Sequence, residues 1–224
     1  VLRGTLVNCS GGYSPFGWFT CEETTDSKHG YVFLCDPLAT KAQPPQKIVS
    51  YGRMTHEGCV MDPVTKIAYL TEDDSSSCFY RFVPITSESP FTGRLEAMQV
   101  WRGGKFISHG DSIQPGESLE VTWIPVKSSL LETEEGKPLG PLVAAEGATT
   151  FRRGEGIVMG SEGVFFSCST GGPKELGQIF CYKPKDNSKG SLSLLFVAKD
   201  TSILNMPDNL SSTPWGDVYV AEDN

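Results

Sequence analysis

No apolar run in the chain approaches the ~18 residues that would suggest a membrane-spanning helix, and no basic-plus-apolar segment is visible at its front. Positive charge is also short. Against 27 Asp and Glu stand 19 Lys and Arg, a net charge of −8 with a pI near 4.9. That balance argues against a nucleic-acid partner, whose phosphates need a basic patch. There are seven cysteines but no CxxC spacing, so a zinc ribbon is excluded, and the odd count rules out a framework in which every thiol is paired. Nothing reads as a long helix. What is plentiful is turn-forming residues, Gly 24 and Pro 15, which suit many short strands with tight connections. At 224 residues and 24.4 kDa the chain can bury one sizeable core, so a single all-β domain is the prior.

One stretch is repeated. Asn8-Cys9-Ser10-Gly11-Gly12 leads through SPFG to Glu22-Glu23, and Asp208-Asn209 leads through TPWG to Glu222-Asp223. Glu57 and Glu72 fit the same skeleton, a metal-capable residue followed 14 or 15 positions later by a carboxylate. Glu155 opens a fourth copy, with Ser169 and Thr170 at its later position. A strand of about five residues, a turn and a returning strand account for that spacing, so the start of one strand and the end of the next meet. Cys9 is expected near Glu23, Glu57 near Glu72 and Asp208 near Glu222.

A third apolar strand ending in proline follows in three copies (30–37, 78–84 and 177–184), and candidate fourth strands lie at 47–52, 93–101 and 193–200. Four strands in a unit of about fifty residues are the sequence sign of β-propeller blades around a central channel. The interval from Glu57 to Glu155 is about double the others, so it holds either another blade around 118–126 or a long insertion. The stretch 127–150, rich in turn and charged residues, reads as a surface loop. The last copy ends after one hairpin, so the chain is expected to cover part of a larger ring.

If the blades are radial, Cys9, Glu23, Glu57, Glu155 and Asp208 converge on one axis. Several carboxylates that close cannot all stay ionised without cations. Oxygen ligands suit calcium, and a thiolate among carboxylates suits a transition metal such as iron. Six cysteines (21, 35, 59, 78, 168 and 181) fall in apolar strand runs and read as small buried thiols; Cys9 stands where the other repeats put acids. Arg153 lies two residues before Glu155, on the same strand face, where its guanidinium could pair locally or take an oxyanion in two-pronged fashion. His56 sits beside Glu57, but alternation points it away, which favours a supporting role over a ligand's. The sequons at Asn8 and Asn209 fall inside this site and are discounted as sugar acceptors. The residues alone support a metal-dependent hydrolase on a propeller, with a calcium-dependent lactonase or esterase, or a propeller that only holds calcium, as alternatives. Cys9 and the Arg153, Glu155 pair favour the first.

In order, NCSGG, SPFGWFTCEE, THEG, DPVTKIAYLTEDD, CFYRFVP, FRRGEG, FFSCSTGG, GQIFCYKP and PDNLSSTPWGDVYVAED resemble the PhoX-type alkaline phosphatases over most of the chain except about 100–150. The resemblance implies a six-bladed propeller, secreted to the periplasm or beyond, that hydrolyses a small-molecule phosphomonoester as a monomer with Ca2+ and Fe3+ in its channel. It implies that Cys9, Glu57, Glu155 and Asp208 are iron and calcium ligands, Glu23 a calcium ligand and Arg153 the phosphate-holding arginine. A metal-bound oxygen would then attack phosphorus. Asn209, Glu72 and Glu222 are placed nearby mainly by the repeat argument.

Overall fold

In the computed structural model, which describes residues 2–44, 46–132 and 137–223, short antiparallel strands alternate with tight turns. The first blade is β1 (Asn8–Ser14), β2 (Gly17–Glu22), β3 (Val32–Cys35) and β4 (Gln46–Ile48), paired in that order. The second is β5 (His56–Met61), β6 (Ala68–Glu72), β8 (Tyr80–Pro84) and β9 (Gly93–Arg102), with the short β7 (Ser77–Cys78) between its middle strands. After β10 (Lys105–Ile107), β11 (Ser118–Pro125) and β12 (Thr150–Phe151) comes a third blade, β13 (Gly154–Gly160), β14 (Gly163–Cys168), β15 (Gln178–Pro184) and β16 (Gly190–Val197). The hairpin β17 (Pro207–Ser212) and β18 (Val218–Glu222) opens a fourth.

The four innermost strands lie side by side: β1 packs on β5, β5 on β13, and β13 on β17. Blades two and three are therefore neighbours, and the double-length interval is an insertion. Its strand β11 lays one edge along β9, with Glu120 opposite Trp101, and the other along β16, with Ser118 opposite Ser193. One strand thus joins the outer edges of two blades. Leu119 and Val121 point into the core while Glu120 between them stays exposed, the period-two pattern of a half-buried strand.

Two apolar layers hold the blades together. Between blades two and three, Phe79 stacks on Phe166 at 4.3 Å and Phe166 on Phe180 at 5.1 Å between ring centroids. Such ring pairs contribute about 0.5–1.5 kcal/mol beyond the area they bury. Between blades one and two lie Phe19, Tyr51, Cys59, Leu70 and Phe82. Leu139, Val143 and Ala148 are buried in that same layer, which corrects the surface-loop reading of 127–150 for its second half, while 127–129 are exposed. The short helix α1 (Gly140–Ala144) sets Leu139 and Val143 one turn apart, so both face inward while Pro141 and Leu142 between them stay exposed. Residues 133–136 of that stretch lie outside the described chain. Of the six strand cysteines, five are buried and Cys35 is half-buried.

Candidate metal centre

Each inner hairpin carries the same irregularity. The register slips between Asn8 and Gly11, between His56 and Cys59, between Gly154 and Ile157, and between Pro207 and Leu210. In every case two residues oppose one, a β-bulge, and the first of the two is Cys9, Glu57, Glu155 or Asp208. A bulge bends its strand and re-aims a side chain, so four equivalent bulges on four adjacent strands turn these residues toward a common point. The second bulge residue is glycine in the two central blades because the next strand is too close for a side chain. A Cβ on Gly58 would lie 2.5 Å from Ile157, and one on Gly156 would lie 2.6 Å from the Asn209 backbone. In the outer two blades that position is Ser10 and Asn209, and the Ser10 hydroxyl donates to Asn209 Oδ1 at 2.7 Å, joining β1 to β17.

In the two central blades the residue facing the bulge stitches its blade to the next. Thr71 Oγ1 accepts from the Gly58 amide at 3.0 Å and donates to the Glu155 carbonyl at 2.5 Å. Ser167 Oγ donates to the Asp208 carbonyl at 2.6 Å. The hydroxyls thereby fix the bulges of neighbouring blades relative to each other.

The result is two overlapping triads. The ligand atoms of Cys9, Glu23 and Glu57 lie within 4.8 Å of one another, and so do those of Glu57, Glu155 and Asp208. Glu57 belongs to both, is fully buried, and has no hydrogen-bond partner on either carboxylate oxygen among the described residues. Burial, with the charges of Glu155, Glu23 and Asp208, pushes its carboxyl up to about 8. Glu155 is raised to about 7 by burial and by Asp73, and Glu23 to about 7 by burial, by the hydrogen bond its protonated carboxyl makes to Asp73 and by the charge of Asp73. Burial also raises Asp208, with Asp223 adding to it, and raises the Cys9 thiol beside Glu57. A buried carboxylate that no amide or hydroxyl reaches, flanked by a thiol and three further acids, is a donor set made for cations. The residues fit the inferred metals.

Arg153 closes one side. Its Nε and Nη2 donate to Asp73 Oδ1 and Oδ2, both at 2.8 Å, and Nη2 lies 3.2 Å from Glu155 Oε1. The shared face with Glu155 is as expected, but the two-pronged partner is Asp73. Ser169 donates to Glu155 Oε1 at 2.7 Å and so orients that carboxylate. Arg153 has a left-handed backbone, φ 51°, as do Val7 at 46° and Met206 at 49° in the equivalent place before β1 and β17. That conformation costs a non-glycine residue about 1–2 kcal/mol. It recurs where the chain turns into a bulge, and the carbonyls of Val7, Thr55, Arg153 and Met206 accept from Glu23, Asp73, Ser169 and Asp223 in turn.

Those four acceptors reveal the true repeat positions and correct two expectations. Glu72 and Glu222 are not the counterparts of Glu23; Asp73 and Asp223 are. Glu72 turns away, taking hydrogen bonds from Tyr80 Oη at 2.7 Å and from the Leu139 and Gly140 amides at 2.9 and 3.0 Å. Glu222 likewise accepts from the Asn205 amide at 2.6 Å. Glu22 does the same in blade one, gripping the Gly30 and Tyr31 amides and His29. In each acidic doublet the first carboxylate anchors a loop and the second faces the axis. The hairpin turns differ in length, spanning 15–16, 62–67, 161–162 and 213–217. A spacing of 14 or 15 therefore lands one residue short in the two repeats with longer turns, and one residue reverses the face. Aligning the repeats on their turns would have found Asp73 and Asp223.

His56 lies outside the cluster, its Nε2 3.0 Å from the Gly52 carbonyl, with burial lowering its pKa to about 4. Neutral and fully buried, it supports the strand that carries Glu57. Asn209 stands next to Asp208 and donates to its Oδ1 at 3.0 Å.

A family model described as "Alkaline phosphatase PhoX" matches residues 1–224. No curated protein matches the sequence. A solved structure of Pseudomonas fluorescens PhoX in complex with vanadate, a transition state analogue, shares the fold with a TM-score of 0.73 at 18% identity. The superposition covers 98% of this chain and 55% of that one, so the chain spans about half the length of its structural neighbour.

Proposed function

The chain belongs to the PhoX alkaline phosphatase family, and from that premise we propose that the protein is a metal-dependent phosphomonoesterase working at the four bulges. The observation that carries this reading is the buried, partnerless carboxylate of Glu57 shared between two ligand triads. In it Cys9, Glu57, Glu155 and Asp208 hold iron and calcium, and Glu23 holds calcium with Asp73. The thiol is the reason to assign iron, since calcium alone needs only oxygen. Bound there, the cations supply charge neutralisation for the carboxylates and polarisation of a phosphoryl oxygen.

The chain's own residues do the rest. Arg153 presents a planar guanidinium at the edge of the cluster and holds the non-bridging oxygens of the phosphoryl group. Ser169 keeps Glu155 from rotating away. Thr71 and Ser167 keep the bulges at fixed separation, so the charge-stabilising groups need not reorganise during reaction. The substrate is a small phosphomonoester that fits a wet, acidic channel, and the protein acts as a monomer in the periplasm or outside the cell. Among the described residues no helix is long and apolar enough to cross a membrane.

The test is elemental analysis of the purified protein together with hydrolysis of p-nitrophenyl phosphate before and after chelation. Calcium and iron together, with activity lost on chelation, support the reading. Calcium without iron and hydrolysis of a lactone in place of the phosphoester would replace it with the lactonase alternative.

A further inference from the structure

We propose that Asp73 is a positioning residue that ties oxyanion binding to cation binding, because one carboxylate serves both the Arg153 fork and a cation shared with Glu23. The inference rests on the phosphatase reading and adds the way that site is regulated.

Asp73 engages Arg153 through Nε and Nη2, both at 2.8 Å. That edge of a guanidinium is one of the two that can take a phosphate in bidentate fashion, so the carboxylate competes with substrate for it. The arginine cannot retreat to avoid the contest. Its amide donates to the Asp74 carbonyl at 2.9 Å and its carbonyl accepts from Ser169 at 3.0 Å, so only the side chain can turn. When Asp73 leaves, Glu155 Oε1 at 3.2 Å from Nη2 still steadies the guanidinium, and Ser169 steadies Glu155. The other draw on Asp73 is Glu23. Asp73 occupies the axis-facing position equivalent to Glu23, both positions closed by the same backbone hydrogen bond, and it hydrogen-bonds the Glu23 carboxyl. Two carboxylates in contact are held together by a proton or a cation, and a cation would draw Asp73 off the fork. Cation binding and oxyanion binding then reinforce each other.

Calorimetric titration of the full chain with inorganic phosphate, in chelator and in calcium, tests this. In chelator, Asp73→Ala is expected to bind phosphate about 10-fold tighter than wild type, a coupling of ordinary size for linked sites. Calcium should tighten phosphate binding by a larger factor in wild type than in Asp73→Ala, and phosphate should tighten calcium binding in wild type by the same factor as calcium tightens phosphate. Glu23→Gln removes a like charge without releasing the fork and should show a smaller gain. The gain should vanish in the Asp73→Ala, Arg153→Ala double variant. Asp73→Asn, which keeps one acceptor, should shift in the same direction and serves if the alanine variant does not fold. No gain in chelator, an equal gain from Glu23→Gln, or a gain that survives loss of Arg153 overturns the coupling. If Arg153→Ala leaves phosphate affinity in calcium unchanged, the phosphate-holding role of the arginine fails. If Arg153→Ala weakens it while Asp73→Ala brings no gain, only the coupling fails.

Discussion

Replacing Glu57 by glutamine is expected to stabilise the chelated protein and destabilise the cation-loaded one. In the folded chain burial and neighbouring acids raise the Glu57 carboxyl from 4.5 to about 8. A group whose pKa is raised on folding contributes stability in full below its unfolded value and loses it as pH rises through the folded value. Above pH 8 the folded chain must therefore bear an ionised carboxylate at a cost of about 4–5 kcal/mol relative to its protonated form, at 1.36 kcal/mol per unit. Glutamine removes that cost at every pH. It leaves a buried amide without partners, which costs about 1–3 kcal/mol. The carboxylate penalty is the larger, so at pH 9 in chelator Glu57→Gln should gain about 2 kcal/mol, or about 4–8 °C in Tm for a chain of this size. At pH 5, where the wild-type carboxyl is largely protonated, the gain should disappear. With calcium and iron present the sign reverses, because glutamine withdraws the charged donor common to both triads. Thermal unfolding at both pH values, with chelator and with metals, reads all four conditions. A variant that is less stable than wild type at pH 9 in chelator would refute the argument that Glu57 is a charge held for cations.

Arg153→Ala should lower phosphomonoester turnover by about 10²-fold with bound metal unchanged, the scale of losing a donor aimed at developing charge, and lysine should not restore it; loss of metal in the variant would assign the arginine to the cluster's architecture. Thr71→Val strands the Gly58 amide and the Glu155 carbonyl, both now bonded to its hydroxyl. A loss of about 1–3 kcal/mol in denaturant unfolding, with weaker calcium binding, is expected; an unchanged calcium titration would remove the stitch from the site. His56 is held neutral, its pKa lowered from 6.5 to about 4 by burial. The unfolded chain then binds more protons between those values, so stability falls as pH drops from 6.5 to 4, by about 3 kcal/mol in all. His56→Gln should flatten that part of the stability profile, and an unaltered slope would count against it.

The sequence by itself determined the repeat, and with it the blade. Period-two apolar runs, prolines at strand ends and the recurrent Cys9, Glu57, Glu155 and Asp208 are local features, and a local pattern is legible because strand alternation and turn chemistry act over a few residues. That these four side chains would meet followed from the repeat once its hairpins are set radially. Tertiary structure decided what depends on register and on contacts between distant segments. The acidic doublets could not be divided into a loop anchor and an axis ligand from spacing, since a turn lengthened by a few residues reverses which carboxylate faces inward. For that reason the spacing points to Glu72 and Glu222, and the structure to Asp73 and Asp223. The two-pronged partner of Arg153 lies 80 residues away, set by how β6 lies against β13. Residues 139–148 look like loop because Gly140, Pro141 and Gly147 interrupt their apolar residues, and it is the gap between blades one and two that calls Leu139 and Val143 inside. No pattern within β11 says that it bridges two blades; that is settled by the open edges of β9 and β16, which leave a row of unpaired backbone groups for it to satisfy.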